Sequence, residues 1–313
     1  MIAFVFPGQG SQSVGMGAEL VRTSRHAAQV IEEASSAVGL DLAELDEAAL
    51  AQTRYAQLAI VAHSLAAFAA ITESLPAALM KDSHAYAGFS LGEYSALCAA
   101  GRLSLADTMA LVSIRAELMQ QAASATPGAM AAVLSLPDEA VEAVIMEPAF
   151  NGRVFAVNYN APGQLVIAGE SDAVHACAGP LKAAGARRVL PLAVSGAFHT
   201  RLMAPAAIPL VDFARTLPFH KTRHLVYANR SGRPLPYDAD IPAYLGEHLQ
   251  NPVYWADEVR HLVAAGCTDF VECGSGRVLS GLIRKIDPTV SVWQVEDENS
   301  LQNTIRGLKE RLI

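Results

Sequence analysis

Ala85-Tyr86-Ala87-Gly88-Phe89-Ser90-Leu91-Gly92-Glu93 is the stretch on which the reading of this 313-residue chain turns. A short apolar strand, Ala85 to Gly88, runs into Gly88-Phe89-Ser90-Leu91-Gly92, and helix-like sequence continues through Leu97. The pattern is G-x-S-x-G. Its mechanical meaning is a strained strand-to-helix turn that lifts a serine hydroxyl above a sheet, with small flanking residues that let the backbone pass closely. Five residues alone are a modest signal, and an ordinary glycine-rich turn is the competing reading. The placement between a predicted strand and a predicted helix is the context the chemistry needs, and it makes Ser90 the candidate nucleophile.

Working outward, Ile2 to Phe6 reads as a strand followed by the turn Pro7-Gly8-Gln9-Gly10-Ser11-Gln12. Gln57 to Leu75 reads as a largely buried helix, and Leu105 to Ala122 carries apolar residues at helical spacing. Helices alternating with short apolar strands predict an α/β class with a mainly parallel sheet. From about Ala129 the rhythm changes. Met130 to Leu136, Val154 to Asn158, Gln164 to Gly169 and Arg187 to Ala193 read as strands. Asp138 to Met146 and Asp172 to Ala184 read as helices between them. This β-α-β-β-α-β order is the ferredoxin-like signature. The expected organisation is therefore a large α/β domain of residues 1–125 and 194–313, with a small ferredoxin-like domain inserted at 126–193. A strand near Thr268 to Glu272, followed by Gly274-Ser275-Gly276, belongs to the resumed large domain.

The bulk properties narrow the function classes. A chain 52% hydrophobic and 17% charged can bury a large core. Its mean hydropathy of +0.26 comes from Ala, Val and Leu spread along the chain, with no uninterrupted membrane-length apolar run. The segment Met-Ile-Ala-Phe-Val-Phe-Pro at the start lacks a basic flank and reads as a strand, not a signal peptide. Cys98, Cys177, Cys267 and Cys273 show no C-x-x-C spacing and sit in apolar contexts, so reduced core thiols and a cytoplasmic location are expected. A net charge of -8 argues against nucleic acid as a partner.

A serine nucleophile needs a base, and there are nine histidines. His63 and His175 lie in apolar helical runs, which favours structural roles. His220 and His224 are four apart without an acidic ligand to complete a metal motif. His199, in Ser195-Gly196-Ala197-Phe198-His199, follows the last strand of the predicted insert, where the chain re-enters the large domain beside a cleft. It is the candidate base.

Taken together, these segments resemble the malonyl-CoA:acyl carrier protein transacylases of fatty-acid synthesis and the related acyltransferases of polyketide synthases. The likeness spans nearly the whole chain. It rests on Phe6 to Gln12, on Gly88 to Glu93, on Arg115, on Asn158-Tyr159-Asn160-Ala161-Pro162-Gly163-Gln164 and on Ala197-Phe198-His199. Gln250-Asn251-Pro252-Val253 and Glu272-Cys273-Gly274-Ser275-Gly276 complete it. The resemblance implies a hydrolase-like large domain and a ping-pong transfer of malonyl from malonyl-CoA to acyl carrier protein through acyl-Ser90, with His199 as base. It further implies an oxyanion hole from the backbone amides of Gln9 and Leu91, with Arg115 pairing with the malonyl carboxylate. A backbone carbonyl at Gln250 would orient His199 in place of an acid. No resident cofactor or metal is implied, since coenzyme A is part of the substrate, and a monomer is expected. Asn160 reads as a turn residue ahead of Pro162-Gly163.

Two features depart from or refine the pattern. Phe89 stands where the family usually has histidine. Phe198 resembles the malonyl-selective form of polyketide-type enzymes, an aromatic ring there crowding a C2 methyl, and so leans towards a polyketide-type, free-standing enzyme. Competing readings are a serine esterase or thioesterase, for which Asp172 is the nominal acid, a non-catalytic docking subunit, and the acyltransferase component of a malonate decarboxylase system. An acidic carrier protein calls for a local basic patch on this acidic chain, and Lys182, Arg187, Arg188 and Arg201 are the candidates.

Overall fold

Ile2–Phe6 (β1) is buried at every position, as a strand covered on both faces must be. It lies between β2 (Ala85–Gly88) and β9 (Asp269–Cys273), parallel to both. β10 (Ser291–Val295) extends the sheet beyond β9 and β7 (Leu225–Ala228) beyond β2, again in parallel. The two-residue β8 (Arg233–Pro234) closes that edge antiparallel to β7. The order β10-β9-β1-β2-β7-β8 places the strand that feeds Ser90 near the middle of the sheet. This computed structural model describes residues 1–76, 79, 84–194 and 196–311.

Helices cover both faces. In chain order they are α1 (Ala18–Thr23), α2 (Arg25–Val38), α3 (Glu47–Leu50), α4 (Thr53–Ser74), α5 (Gly92–Ala99), α6 (Leu105–Ala125), α7 (Asp138–Ile145), α8 (Ser171–Ala183), α9 (Ala204–Ala214), α10 (Ile241–His248), α11 (Trp255–Ala264), α12 (Val278–Ile286) and α13 (Glu298–Glu310). One face of the sheet packs Phe4, Phe6 and Tyr86 against α2, α4 and α6. The other packs Val5, Ala87 and Phe270 against Trp255, Val259 and Ile283 of α11 and α12. α4 is long and apolar enough to cross a membrane by length and composition alone, but most of it is buried in this core.

The second sheet has the order β4-β5-β3-β6, all antiparallel, from β3 (Gly128–Leu134), β4 (Val154–Ala161), β5 (Gln164–Glu170) and β6 (Arg188–Pro191). With α7 and α8 between strands, this is the ferredoxin-like arrangement. β6 is shorter than the predicted Arg187 to Ala193, because an edge strand with exposed residues has only β3 to hold its ends. β4 runs further than predicted, through Tyr159 to Ala161, across two register irregularities. Its extension has a specific purpose. Tyr159 N–H donates to the Val253 carbonyl at 2.9 Å and Val253 N–H to the Val157 carbonyl at 2.8 Å, so a strap at 251–254 sews the small sheet to the large domain. The Tyr159 ring stacks on Tyr254 at 4.9 Å.

The turn that carries Ser90 is packed backbone against backbone. A Cβ on Gly88 would sit 1.9 Å from the Gly92 carbonyl carbon, and one on Gly92 would sit 2.0 Å from the Phe6 carbonyl oxygen. Neither neighbour can rotate away, as a side chain could. Gly92→Ala is therefore expected to cost about 3 kcal/mol, the upper end of ordinary overpacking. Thermal unfolding should show it as a drop of roughly 5 °C for a protein of this size. A variant melting within two degrees of wild type would mean that the turn yields more easily than its contacts imply.

Candidate active site

β2 ends and α5 begins around Ser90, which takes φ 50, in the left-handed region that a side chain disfavours. This is the strained elbow that the sequence pattern predicts. His199 is the second residue of the site with positive φ, at 61. The two distorted residues face each other: Ser90 Oγ and His199 Nε2 are 2.7 Å apart. On the far side of the ring, Nδ1 lies 3.1 Å from the carbonyl oxygens of both His248 and Asn251. Since carbonyls only accept, Nδ1 carries the hydrogen and Nε2 is left as the acceptor for the serine proton.

That arrangement corrects one expectation. The orienting carbonyls belong to His248 and Asn251, not to Gln250. His248 is the last residue of α10, so its carbonyl is free of intrahelical bonding, while Asn251 begins the strap. Gln250 instead turns its side-chain amide onto the Gly246 carbonyl. Asp172, the nominal acid of an esterase triad, is far from this ring in its bonding: it is an exposed partner of Arg153 at 2.7 Å.

Arg115 reaches the site from α6, buried to 1% exposure. Its Nη2 donates to Ser90 Oγ at 3.2 Å and its Nη1 to Gln57 Oε1 at 2.6 Å. The guanidinium lies over the Tyr94 ring, 5.1 Å from its centre, and among the described residues Nε has no hydrogen-bond partner. Among the described residues Arg115 makes no ion pair with a carboxylate. A buried cation left in that state is costly unless an anion arrives. Burial lowers its pKa from the ordinary value, with Tyr94 opposing the shift.

Burial, and next to it the charge of Arg115, lowers His199 to about 4. The ring is thus neutral at physiological pH and ready to accept a proton. Ser90, His199, Arg115, Gln9, Leu91 and Phe198 all line one cavity of about 270 Å³ between the two sheets, joined on the small-sheet side by Met130, Asn158, Asn160 and Gln164. Leu192 and Val278 stand at its mouth, both exposed. Among the described residues the backbone amides of Gln9 and Leu91 donate to no protein acceptor, as donors kept for a ligand would. Phe89 lines the same cavity beside the nucleophile and packs edge-on against Trp255 at 5.8 Å, an apolar role for the position. Asn160, expected in a turn, lies within β4, buried, and its Oδ1 has no partner among the described residues. The remaining histidine candidates lie elsewhere: His63 meets the Leu42 carbonyl inside the core, and His175, His220 and His224 are exposed.

Residues 3–309 match the model of the acyl transferase domain. The chain belongs to the acyltransferase family. This acyltransferase is 38% identical to the malonyl CoA-acyl carrier protein transacylase of Bacillus subtilis over 314 aligned positions, covering 99% of this chain and 98% of that one. It is 37% identical to the enzyme of the same name from Escherichia coli, covering 96% and 97%. Among solved structures, the malonyl CoA-acyl carrier protein transacylase of Clostridium perfringens superposes with a TM-score of 0.92 at 34% identity, covering 99% of this chain and 98% of that one. A malonyl-transacylase solved in complex with its type II polyketide synthase acyl-carrier protein superposes at 0.90 with 37% identity, covering 98% and 99%.

The sequence reading passed over several polar residues of this acyltransferase that touch the dyad or Arg115. Gln57 was legible only as part of an apolar helix. Asn229, Glu258 and His248 are fully buried beneath the elbow together with Glu93. Asn229 Oδ1 accepts from the Ser90 amide at 2.7 Å, while its Nδ2 donates to the Gly88 carbonyl at 2.6 Å and to Glu258 Oε1 at 2.7 Å. Burial pushes the Glu93 carboxyl up to about 8 and raises Glu258 well above the usual range. A lone polar residue in an apolar run was the available signal, and it does not say which partner the residue will meet.

Proposed function

We propose that the chain transfers malonyl from malonyl-CoA to acyl carrier protein through an acyl-Ser90 intermediate. The observation that carries this reading is Arg115, a buried guanidinium without a carboxylate partner among the described residues, 3.2 Å from the nucleophilic oxygen. A substrate acylating Ser90 and bearing a second carboxylate two carbons away would supply the missing anion, and a planar fork is the geometry such a group prefers.

In this mechanism Ser90 Oγ attacks the thioester carbonyl as its proton moves to His199 Nε2. The oxyanion is held by the Gln9 and Leu91 amides, each donor worth about 3–4 kcal/mol. The C–S bond then breaks, and the departing sulfur takes the proton back from His199. The carrier-protein thiol repeats the sequence in reverse, so that the enzyme returns unchanged. No resident cofactor takes part, because coenzyme A enters and leaves as substrate. Phe198, at the cavity wall, limits bulk at the malonyl C2 position. We assign the enzyme to the cytoplasm and treat it as a monomer. The test is intact-protein mass after mixing with malonyl-CoA: a malonyl adduct on Ser90 that is discharged by carrier protein supports the proposal. Absence of an adduct overturns it.

The carrier protein would approach over the exposed edge strand β6. Arg187 and Arg188 are exposed there, and Lys182 is exposed near the end of α8. Arg201 is less available, since it donates to the Gly152 carbonyl and lies over the Phe155 ring. Reversing both charges with Arg187→Glu and Arg188→Glu is expected to slow transfer to carrier protein about tenfold at low salt. The loss should shrink as salt screens the encounter. Loading from malonyl-CoA should change less than threefold. Equal transfer rates at low salt would remove this patch from the docking surface.

A further inference from the structure

Asn229 immediately follows β7 and is wholly buried. Every polar atom it owns is engaged. Its side-chain carbonyl accepts from the Ser90 amide at 2.7 Å and from His248 Nε2 at 3.1 Å. Its side-chain amide donates to the Gly88 carbonyl and to Glu258 Oε1. Its own backbone N–H donates to Glu93 Oε2 at 3.2 Å, and its backbone carbonyl accepts from Tyr254 of the strap at 2.8 Å. The orientation of the amide is not open to choice, because a backbone N–H can only donate and a backbone carbonyl can only accept. Four separate parts of the chain therefore converge on one residue, the elbow, α10 and α11 on its side chain and the strap on its backbone carbonyl.

We propose that Asn229 is the positioning residue of the nucleophile, clamping the elbow on both sides of Phe89 so that Ser90 stays in its left-handed conformation and its hydroxyl stays aligned with His199. The clamp has two jaws. One holds the carbonyl two residues before the nucleophile bond, the other holds the nucleophile's own amide. A left-handed non-glycine residue persists only where its surroundings over-determine it, and these two hydrogen bonds supply that constraint at the backbone groups flanking the strained torsion. The same bond withdraws the Ser90 amide from the oxyanion site, leaving that task to Gln9 and Leu91. Glu258 completes the device by accepting from the amide's second hydrogen, which keeps the side chain from rotating. Asn229 does not line the cavity, so it acts through the residues it holds, Ser90 foremost.

This inference rests on Ser90 being the acylated residue, and the experiment separates the two ideas. Single-turnover acylation by malonyl-CoA is followed by intact mass for wild type, Asn229→Asp, Asn229→Ala and Glu258→Gln, with thermal unfolding in parallel. If wild type forms no adduct, the functional reading fails first. If it does, the isosteric Asn229→Asp decides the clamp. An ionised carboxylate has no hydrogen for the Gly88 carbonyl, whereas the protonated form has one. The groups facing the introduced carboxyl are Glu93 on α5, His248 on α10 and Glu258 on α11, with Arg115 and His199 beyond them. Two acidic neighbours and full burial favour its protonated form at mildly acid pH. Acylation by Asn229→Asp should fall about a hundredfold at pH 8 and recover at least tenfold at pH 6, while wild type changes little over that interval. Glu258→Gln keeps an acceptor for the Asn229 amide but not the carboxylate, so its acylation should fall less than that of Asn229→Ala. A folded Asn229→Asp with a wild-type rate and a wild-type pH profile overturns the proposal. So does a folded Asn229→Ala that acylates within threefold of wild type. A loss of melting temperature alone, with a parallel pH profile, marks Asn229 as structural and overturns it equally.

Discussion

Replacing Arg115 by alanine is expected to lower malonyl acylation of Ser90 about a thousandfold, while acetyl-CoA loads as well as before or better. A hydrogen bond to a charged group contributes about 1.5–3 kcal/mol, and a bidentate pair in a buried site makes two. Roughly 4 kcal/mol corresponds to three powers of ten in rate. The acetyl comparison is essential because Nη2 also touches Ser90 Oγ. If that contact were the source of the loss, acetyl loading would fall in step. Arg115→Lys should recover only about tenfold, since an ammonium keeps the charge but not the planar fork and cannot reach Gln57 and the substrate together. Rates of adduct formation on the two thioesters, compared across the three proteins, check the expectation. An equal decline for malonyl and acetyl groups would dismiss Arg115 as the carboxylate receptor.

The second large effect belongs to His199. His199→Ala removes the base 2.7 Å from the nucleophile. General-base catalysis is typically worth about a hundred- to ten-thousandfold, and dyad members removed singly often cost more than that. A loss of about ten-thousandfold in acylation is expected. The pH profile gives an independent signature. His199 works in its neutral form and is held to about 4 in the folded protein, so activity should be flat through neutrality and fall only as the pH drops towards 4. An acyl-CoA without a second carboxyl keeps the substrate's own titration out of the profile. The acid limb should vanish in His199→Ala, leaving a low, level rate. A limb centred near 6.5 in wild type would show that the ring titrates like an exposed histidine, contrary to its burial.

How much of this was legible beforehand differs by residue for physical reasons. Ser90 announces itself because the elbow demands glycine at 88 and 92, where any Cβ would strike backbone. The ferredoxin-like sheet is legible through the change from long helices to short alternating strands; β3 starts and ends two residues earlier than expected, and the larger departures are at β4 and β6. β4 is longer because the strap at 251–254 pairs with it, a partner nearly a hundred residues away that no local pattern encodes. The dyad histidine stood among nine, and it was the join between domains, together with the family likeness, that singled it out. The orienting carbonyls were misplaced by one or two residues because any carbonyl in that turn can serve, and the one chosen depends on where α10 ends. Gln57 and Asn229 were missed for the opposite reason. A buried amide is specified by what lies across from it, and those partners sit 58 and 139 residues away along the chain.

Arg115 stands beside the same oxygen whose proton His199 must take, and its charge is one of the forces keeping the ring unprotonated. A proton arriving on the imidazole before any carboxylate is bound would set two cations side by side in a dry cleft. A malonyl group cancels one of them. The cargo thus arms the catalyst: its far end strengthens the base that acts on its near end, and an acyl group lacking that far end meets a weaker base even where it fits. On the proposed reading, selectivity is applied at the proton as well as at the pocket wall. At saturating thioester, the acid limb of acylation should therefore lie at higher pH for malonyl than for acetyl groups, and coincident limbs would mean the two charges do not speak to each other.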